Sequence, residues 1–162
     1  MFPEFVVPDD LPGQHGQIQT VFDESSRCME IDDPYQISTT QPTLVEWSSC
    51  RVPKYINNQF YGLRGDGLIE SFITNGDPIC LTVTKYKGEK VITAGKCHDG
   101  RDNIMFHWEL IDQGEETFRI RHRYYRLCID SRTVVKVENQ VALRKCDQTT
   151  ITQLLRFTMD PS

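Results

Sequence analysis

The sequence predicts an all-β fold made of three homologous units, and three observations carry that reading. The six cysteines fall as successive pairs, Cys28 and Cys50, Cys80 and Cys97, Cys128 and Cys146. The pairs recur about every fifty residues, and a period of that length marks a repeat architecture. An aromatic residue stands eleven positions after each second cysteine: Tyr61, Trp108 and Phe157. Between these landmarks lie short β-rich runs bounded by Gly, Pro, Asn and Asp, with no sustained helical periodicity.

Each unit opens on a turn: Pro12-Gly13-Gln14-His15-Gly16, Gly65-Asp66-Gly67 and Asp112-Gln113-Gly114. A short alternating strand follows, beginning near Ile18, Ile69 and Phe118. A further apolar strand precedes each second cysteine, at Leu44-Val45, Val91-Ile92 and Val141-Ala142-Leu143. The count is about four strands per unit. One such unit cannot cover its own apolar face, whereas three packed about a common axis can. The units are set at 15–64, 65–112 and 113–162, with residues 1–14, rich in Pro and Asp, as an arm outside the repeat.

Six cysteines allow many pairings, so connectivity does not follow from their number alone. The repeat favours one local bridge inside each unit: Cys28–Cys50, Cys80–Cys97 and Cys128–Cys146. Each closes a loop worth about 3 kcal/mol in the chain-entropy account. Such bridges persist in oxidising compartments, so a secreted or extracellular location is expected. The N-terminal residues Met1–Phe5 lack the basic start and long apolar stretch of a signal peptide, so an export signal would have been removed or lie elsewhere. No metal or cofactor is expected, since there is no Cys-x-x-Cys and the histidines at 15, 98, 107 and 122 lack ligand spacing. The net charge of −5 argues against nucleic acid as a partner, and no apolar run is long enough for a membrane helix.

The Cys…Cys pairs, the following aromatic triplets and the segment Asn58-Gln59-Phe60-Tyr61-Gly62-Leu63-Arg64-Gly65-Asp66-Gly67-Leu68-Ile69 resemble the ricin-type (R-type) lectin β-trefoil. The likeness covers roughly residues 15–160, and Ile18–Cys28 also resembles the cysteine-rich head domain of mannose-receptor-type receptors. The triplets read Gln59-Phe60-Tyr61, Phe106-His107-Trp108 and Leu155-Arg156-Phe157, so only the first keeps the family's glutamine. Their aromatics are expected in the core.

The resemblance implies a non-catalytic, carbohydrate-binding module with one shallow site per unit. A carboxylate two residues after the first cysteine, an aromatic just before the second and an amide beyond it would share the sugar. In the first unit these are Glu30, Trp47 and Asn58, with glutamate in place of aspartate and the tryptophan one residue early. The second unit offers Thr82, Gly95 and Met105, an empty set. The third offers Asp130, Arg144 and Leu154, where a guanidinium replaces the stacking ring and suits an anionic sugar. A glycan or glycoprotein is the expected partner. The competing expectation is a trefoil with decayed sugar sites that binds a protein receptor or sister subunit.

Three further motifs stand out in the sequence. The run Phe118-Arg119-Ile120-Arg121-His122-Arg123-Tyr124 alternates, so a strand there carries Arg119, Arg121 and Arg123 on one face, a stripe that fits an acidic ligand or is simply solvated. Arg64-Gly65-Asp66 spells an integrin tripeptide, yet Gly-Asp-Gly is also turn chemistry. Asp99-Gly100-Arg101-Asp102-Asn103 lacks the closing glutamate of a calcium loop and reads as a surface turn. No nucleophile elbow, zinc-protease or phosphate-loop motif occurs.

Overall fold

The computed structural model describes residues 15–21, 26–32, 43–50, 57–71, 78–100, 102–132, 134, 137 and 139–158. The arm expected at 1–14 lies outside them. Among the described residues twelve strands follow one another, four to a unit. The first unit holds β1 (His15–Thr20), β2 (Arg27–Ile31), β3 (Thr43–Ser49) and β4 (Phe60–Leu63). The second holds β5 (Ile69–Ser71), β6 (Ile79–Tyr86), β7 (Glu89–Lys96) and β8 (Trp108–Gly114). The third holds β9 (Thr117–His122), β10 (Leu127–Asp130), β11 (Ala142–Lys145) and β12 (Leu155–Thr158).

All strand pairs are antiparallel and join into one sheet that closes on itself. The wall of the barrel runs β5–β4–β1–β12–β9–β8. The turn before β5 meets the start of β8 where the Trp108 amide donates to the Gly67 carbonyl at 2.9 Å. Gly67 has φ +87°, a backbone conformation that favours glycine, so the turn needs it there. The hairpins β2–β3, β6–β7 and β10–β11 form a cap and touch one another through Thr43↔Ala94, Ala142↔Val91 and Glu46↔Gln140. This is a β-trefoil, and its three disulfides are the local pairs that the repeat favours.

The core lies where the wall meets the cap. Tyr61 and Trp108 are fully enclosed, and each hands its polar atom to the equivalent place in its own unit. The Tyr61 hydroxyl donates to the Met29 carbonyl and the Trp108 indole to the Leu81 carbonyl, both at 3.1 Å. Met29 and Leu81 each follow the first cysteine of their unit. The third member of this set is Leu155, not the expected Phe157. Phe157 lies two residues further along β12 on the same inward side, packed against the edge of the core and Phe118. The third triplet is therefore Gln153-Leu154-Leu155, and the third unit keeps its glutamine. The link from Cys146 is two residues shorter than its counterparts, which hides the match.

Beside Trp108 sits His122, whose ring meets the indole edge-on at 4.9 Å. Its Nδ1 accepts from the Tyr125 amide at 3.1 Å, leaving Nε2 to donate to the Met105 carbonyl at 2.9 Å. Burial lowers its pKa from the usual 6.5, with His107 nearby acting in the same direction. The ring is thus neutral when folded, whereas the unfolded chain takes up a proton below that pH. Its stabilising share is complete above pH 6.5 and is lost as pH falls toward the folded value. Urea unfolding between pH 7.5 and 5 is expected to lose more stability in the parent chain than in His122→Gln. Equal slopes for the two would refute this role for the ring.

Candidate functional site

Each cap hairpin has two faces, because successive strand residues point to opposite sides. The core face carries Met29, Ile31, Val45 and Trp47 in the first unit, Leu81, Val83, Ile92 and Ala94 in the second, and Ile129 and Leu143 in the third. The outer face carries the first cysteine, the residue two places on, and their cross-strand partners. The cysteines' partners are Ser48 opposite Cys28, Gly95 opposite Cys80 and Arg144 opposite Cys128. After each disulfide the chain returns through a 3-10 turn (Asn57–Gln59, Ile104–Phe106, Ile151–Gln153) that packs on the hairpin. A ligand on these units sits between outer face and return turn.

In the first unit Glu30 lies on the outer face, 8% exposed, and its Oε1 accepts from Gln59 Nε2 at 2.9 Å. The same Nε2 reaches the Ser49 carbonyl at 2.9 Å, and Gln59 Oε1 accepts from Gln17 at 2.8 Å. Asn58 is half-buried, its Nδ2 donating to the Ile31 carbonyl at 2.9 Å. Trp47 is not beside them. It stands opposite Met29 on the core face, 4% exposed, with the Arg27 guanidinium 5.8 Å from its ring centroid. The expectation that Trp47 stacks on a sugar with Glu30 gives way to this register, which gives the outer position to Ser48. Residues 33–42 and 51–56, which flank this face in sequence, lie outside the described residues.

The second unit is filled. Phe106 takes the glutamine's place, and its ring lies where a Cβ on Gly95 would come within 3.1 Å. Thr82 Oγ1 donates to the Met105 carbonyl at 3.0 Å, drawing the return turn down onto the hairpin. The absence of a carboxylate, ring and amide in this unit thus corresponds to a packed apolar contact among Leu68, Cys80, Cys97 and Phe106.

The third unit is open. Asp130 is fully buried, yet its carboxyl is held below the usual range. Burial pushes it up, but hydrogen bonds from the Arg132 side chain and amide and from Gln153 outweigh that. Arg132 clasps both oxygens, Nη2 to Oδ2 at 2.8 Å and Nε to Oδ1 at 3.1 Å, and its amide reaches Oδ1 at 2.8 Å. Gln153 Nε2 donates to Oδ2 at 3.1 Å and to the Lys145 carbonyl at 2.8 Å, while its Oε1 accepts from the Asp147 amide at 2.9 Å. This latch repeats the one that Gln59 makes with Glu30 and Ser49. Above it opens a cavity of about 520 Å³ lined by Arg132, Arg144, Lys145, Cys146 and Asp147. Asp147 has its carboxyl lowered to about 2 by hydrogen bonds from the Thr149 hydroxyl and amide.

A family model for the ricin-type β-trefoil lectin domain matches residues 14–154. The chain belongs to that family. At this level the lectin domain is a carbohydrate-binding β-trefoil module, and its family describes a binding unit rather than a catalytic one. No curated protein sequence matches it. Among solved structures it is similar to the agglutinin from Abrus precatorius, at 17% identity and a TM-score of 0.67, covering 99% of this chain and 51% of that one. The β-trefoil lectin of the Vibrio vulnificus hemolysin/cytolysin, solved with N-acetyl-D-lactosamine bound, gives 18% identity and 0.61, covering 92% and 96%. The exo-β-1,3-galactanase 1,3Gal43A from Clostridium thermocellum gives 14% and 0.66, covering 95% of this chain but 31% of that one. At such identities the likeness establishes the fold, and this lectin domain spans only part of the agglutinin and of the galactanase.

The remaining expected site residues of the lectin domain have other occupations. Arg119 is 3% exposed and donates to the Asp147 carbonyl at 2.9 Å, the Thr150 carbonyl at 3.4 Å and Gln113 Oε1. Arg121 pairs with Glu109 at 2.6 Å, and Arg126 shares that carboxylate at 3.2 Å. Arg123 is exposed in the turn after β9. The expected stripe of three arginines is therefore not an open anion surface. Arg119 instead holds from below the 147–150 loop that walls the third cavity, a role no local pattern signals because the loop is distant in sequence. Arg64 folds back onto Asp66 at 2.9 Å and Glu70 at 3.2 Å, so the tripeptide's two charged ends are paired with each other. Asn103 caps the 3-10 turn Ile104–Phe106 through the Met105 amide, as suits a surface turn. Among the described residues no cluster of His, Cys, Asp and Glu is placed to hold a metal ion, and no helix is long and apolar enough to cross a membrane.

Proposed function

We propose that this lectin domain is a secreted or extracellular glycan-binding module whose working site is the third-unit cleft. One observation carries the reading: the third outer face lines an open polar cavity, whereas Phe106 fills the corresponding space in the second. The first unit is the weaker choice, since Trp47 belongs to its core face and the Asn58 amide is spent on a carbonyl. A concave site of this size with a few convergent polar groups is suited to the terminal sugar of a glycan. Three disulfides support an oxidising location.

The test is a glycan array carrying neutral, sulfated and sialylated entries, probed with the parent chain and two matched variants. Lys145 and Ser49 both precede the second cysteine of their unit and are both exposed. Lys145→Trp fills the third cleft and is expected to abolish the array signal, whereas Ser49→Trp leaves it unchanged. An array without hits, or loss of signal in Ser49→Trp alone, would overturn the proposal.

A further inference from the structure

The third cleft has inverted its hydrogen-bonding polarity, and we infer that it recognises an anionic substituent, a sulfate or carboxylate carried on a sugar, chiefly through Arg144. The inference rests on the third-unit reading above and adds the chemical class of its ligand. A neutral sugar held by a carboxylate needs that carboxylate's lone pairs for its hydroxyls. Asp130 has none to offer: it is fully buried, both oxygens are engaged by Arg132, and Gln153 takes a further place on Oδ2.

What faces the cavity instead is a set of donors. Arg144 projects from the outer face opposite Cys128, where a stacking ring would stand in the family pattern. Its guanidinium has no acceptor among the described residues, and its Nε is sealed from solvent without a partner. A half-buried cation with all its donors unspent is completed by an oxyanion, which a guanidinium grips with two parallel bonds. Lys145, the next residue along β11 and exposed, also lines the cavity, adds a second positive charge at its edge and has no ion-pair partner among the described residues.

The opposing charge does not cancel this. Asp130 is matched by Arg132, which leaves Arg144 and Lys145 against Asp147 alone on the cavity wall. Asp147 Oδ1 is turned to the amide and hydroxyl of Thr149. The cleft therefore keeps a positive excess on a chain whose net charge is −5. Such a local reversal of sign selects for an anion at close range.

Calorimetric titration of the full chain at low salt tests the inference with four probes: galactose, galactose 6-sulfate, N-acetylneuraminic acid and inorganic sulfate. At least one anionic sugar is expected to bind about tenfold or more tighter than galactose, with affinity falling as salt rises. Arg144→Gln is expected to lose about tenfold in that affinity and Arg144→Lys to recover part of it, with both variants folded by circular dichroism. Galactose binding as tightly as the anionic sugars, with Arg144→Gln unchanged, would overturn the inference while leaving the cleft itself as the site if Lys145→Trp still abolishes binding. Inorganic sulfate binding as tightly as the sulfated sugar would also overturn it, since the sugar would then contribute nothing. Absence of any binding by the four probes, together with an array lacking hits, would remove the underlying glycan reading as well.

Discussion

Replacing Trp108 by alanine is expected to lower the unfolding free energy by about 3–5 kcal/mol, the range for deleting a large ring from a packed core. The residue is nearly inaccessible and joins the wall and cap of the barrel. Its amide ties the start of β8 to the turn before β5 through the Gly67 carbonyl, and its indole satisfies the Leu81 carbonyl. Alanine keeps the first bond, forfeits the second and leaves a void against which His122 also packs. Trp108→Phe keeps most of the packing and loses chiefly the indole hydrogen bond, a cost of about 1–3 kcal/mol. Urea unfolding with the disulfides intact separates the two. A loss below about 1 kcal/mol for Trp108→Ala would contradict the assignment of this residue to the centre of the core.

Gln153→Ala comes next in expected effect, at about 2–4 kcal/mol, because it removes three hydrogen bonds at once, one of them to the fully buried Asp130. The Lys145 carbonyl, the Asp147 amide and Asp130 Oδ2 each lose a partner. Removing a partner from a buried group costs more than the bond was worth, since water does not replace it. The same change releases the loop that walls the third cleft, so glycan affinity is expected to fall together with stability. Gln59→Ala deletes the matching latch of the first unit and serves as the control: comparable destabilisation, with glycan affinity retained. Should Gln153→Ala unfold like the parent chain, the latch would be decorative and the equivalence of the two glutamines would fail.

The scaffold was legible in the sequence because its constraints are local and occur three times. A disulfide within each unit and a turn before each first strand recur at nearly fixed spacing, so one unit interprets the next. The third triplet is hidden because the link after Cys146 is shorter than its counterparts, which shifts Gln153-Leu154-Leu155 out of the fixed spacing. The signal was nonetheless present: a glutamine two residues before an apolar residue, at the start of an apolar run.

The site was less legible, for two physical reasons. Strand parity decides which face a side chain takes, and Trp47 shares parity with Val45 and not with Cys50. Counting alternation from the core residues, rather than back from the cysteine, puts it inside. The second reason is non-local. Nothing near Arg119 announces that its guanidinium will meet the carbonyls of Asp147 and Thr150, and nothing near Arg144 reveals that its donors stay unspent. The pairing of Asp130 with Arg132 was closer to hand, two residues apart at a strand end. Only the fold, however, turns that pair into the reason a carboxylate stops accepting.

The central claim is that ligand binds over the third unit, and an amide NMR titration with the strongest array ligand measures it most directly. The claim predicts shifts concentrated at Arg132, Arg144, Lys145 and Asp147, with little change at Glu30, Ser48 and Asn58. Shifts centred on Glu30, Ser48 and Asn58 would contradict it and return the site to the first unit.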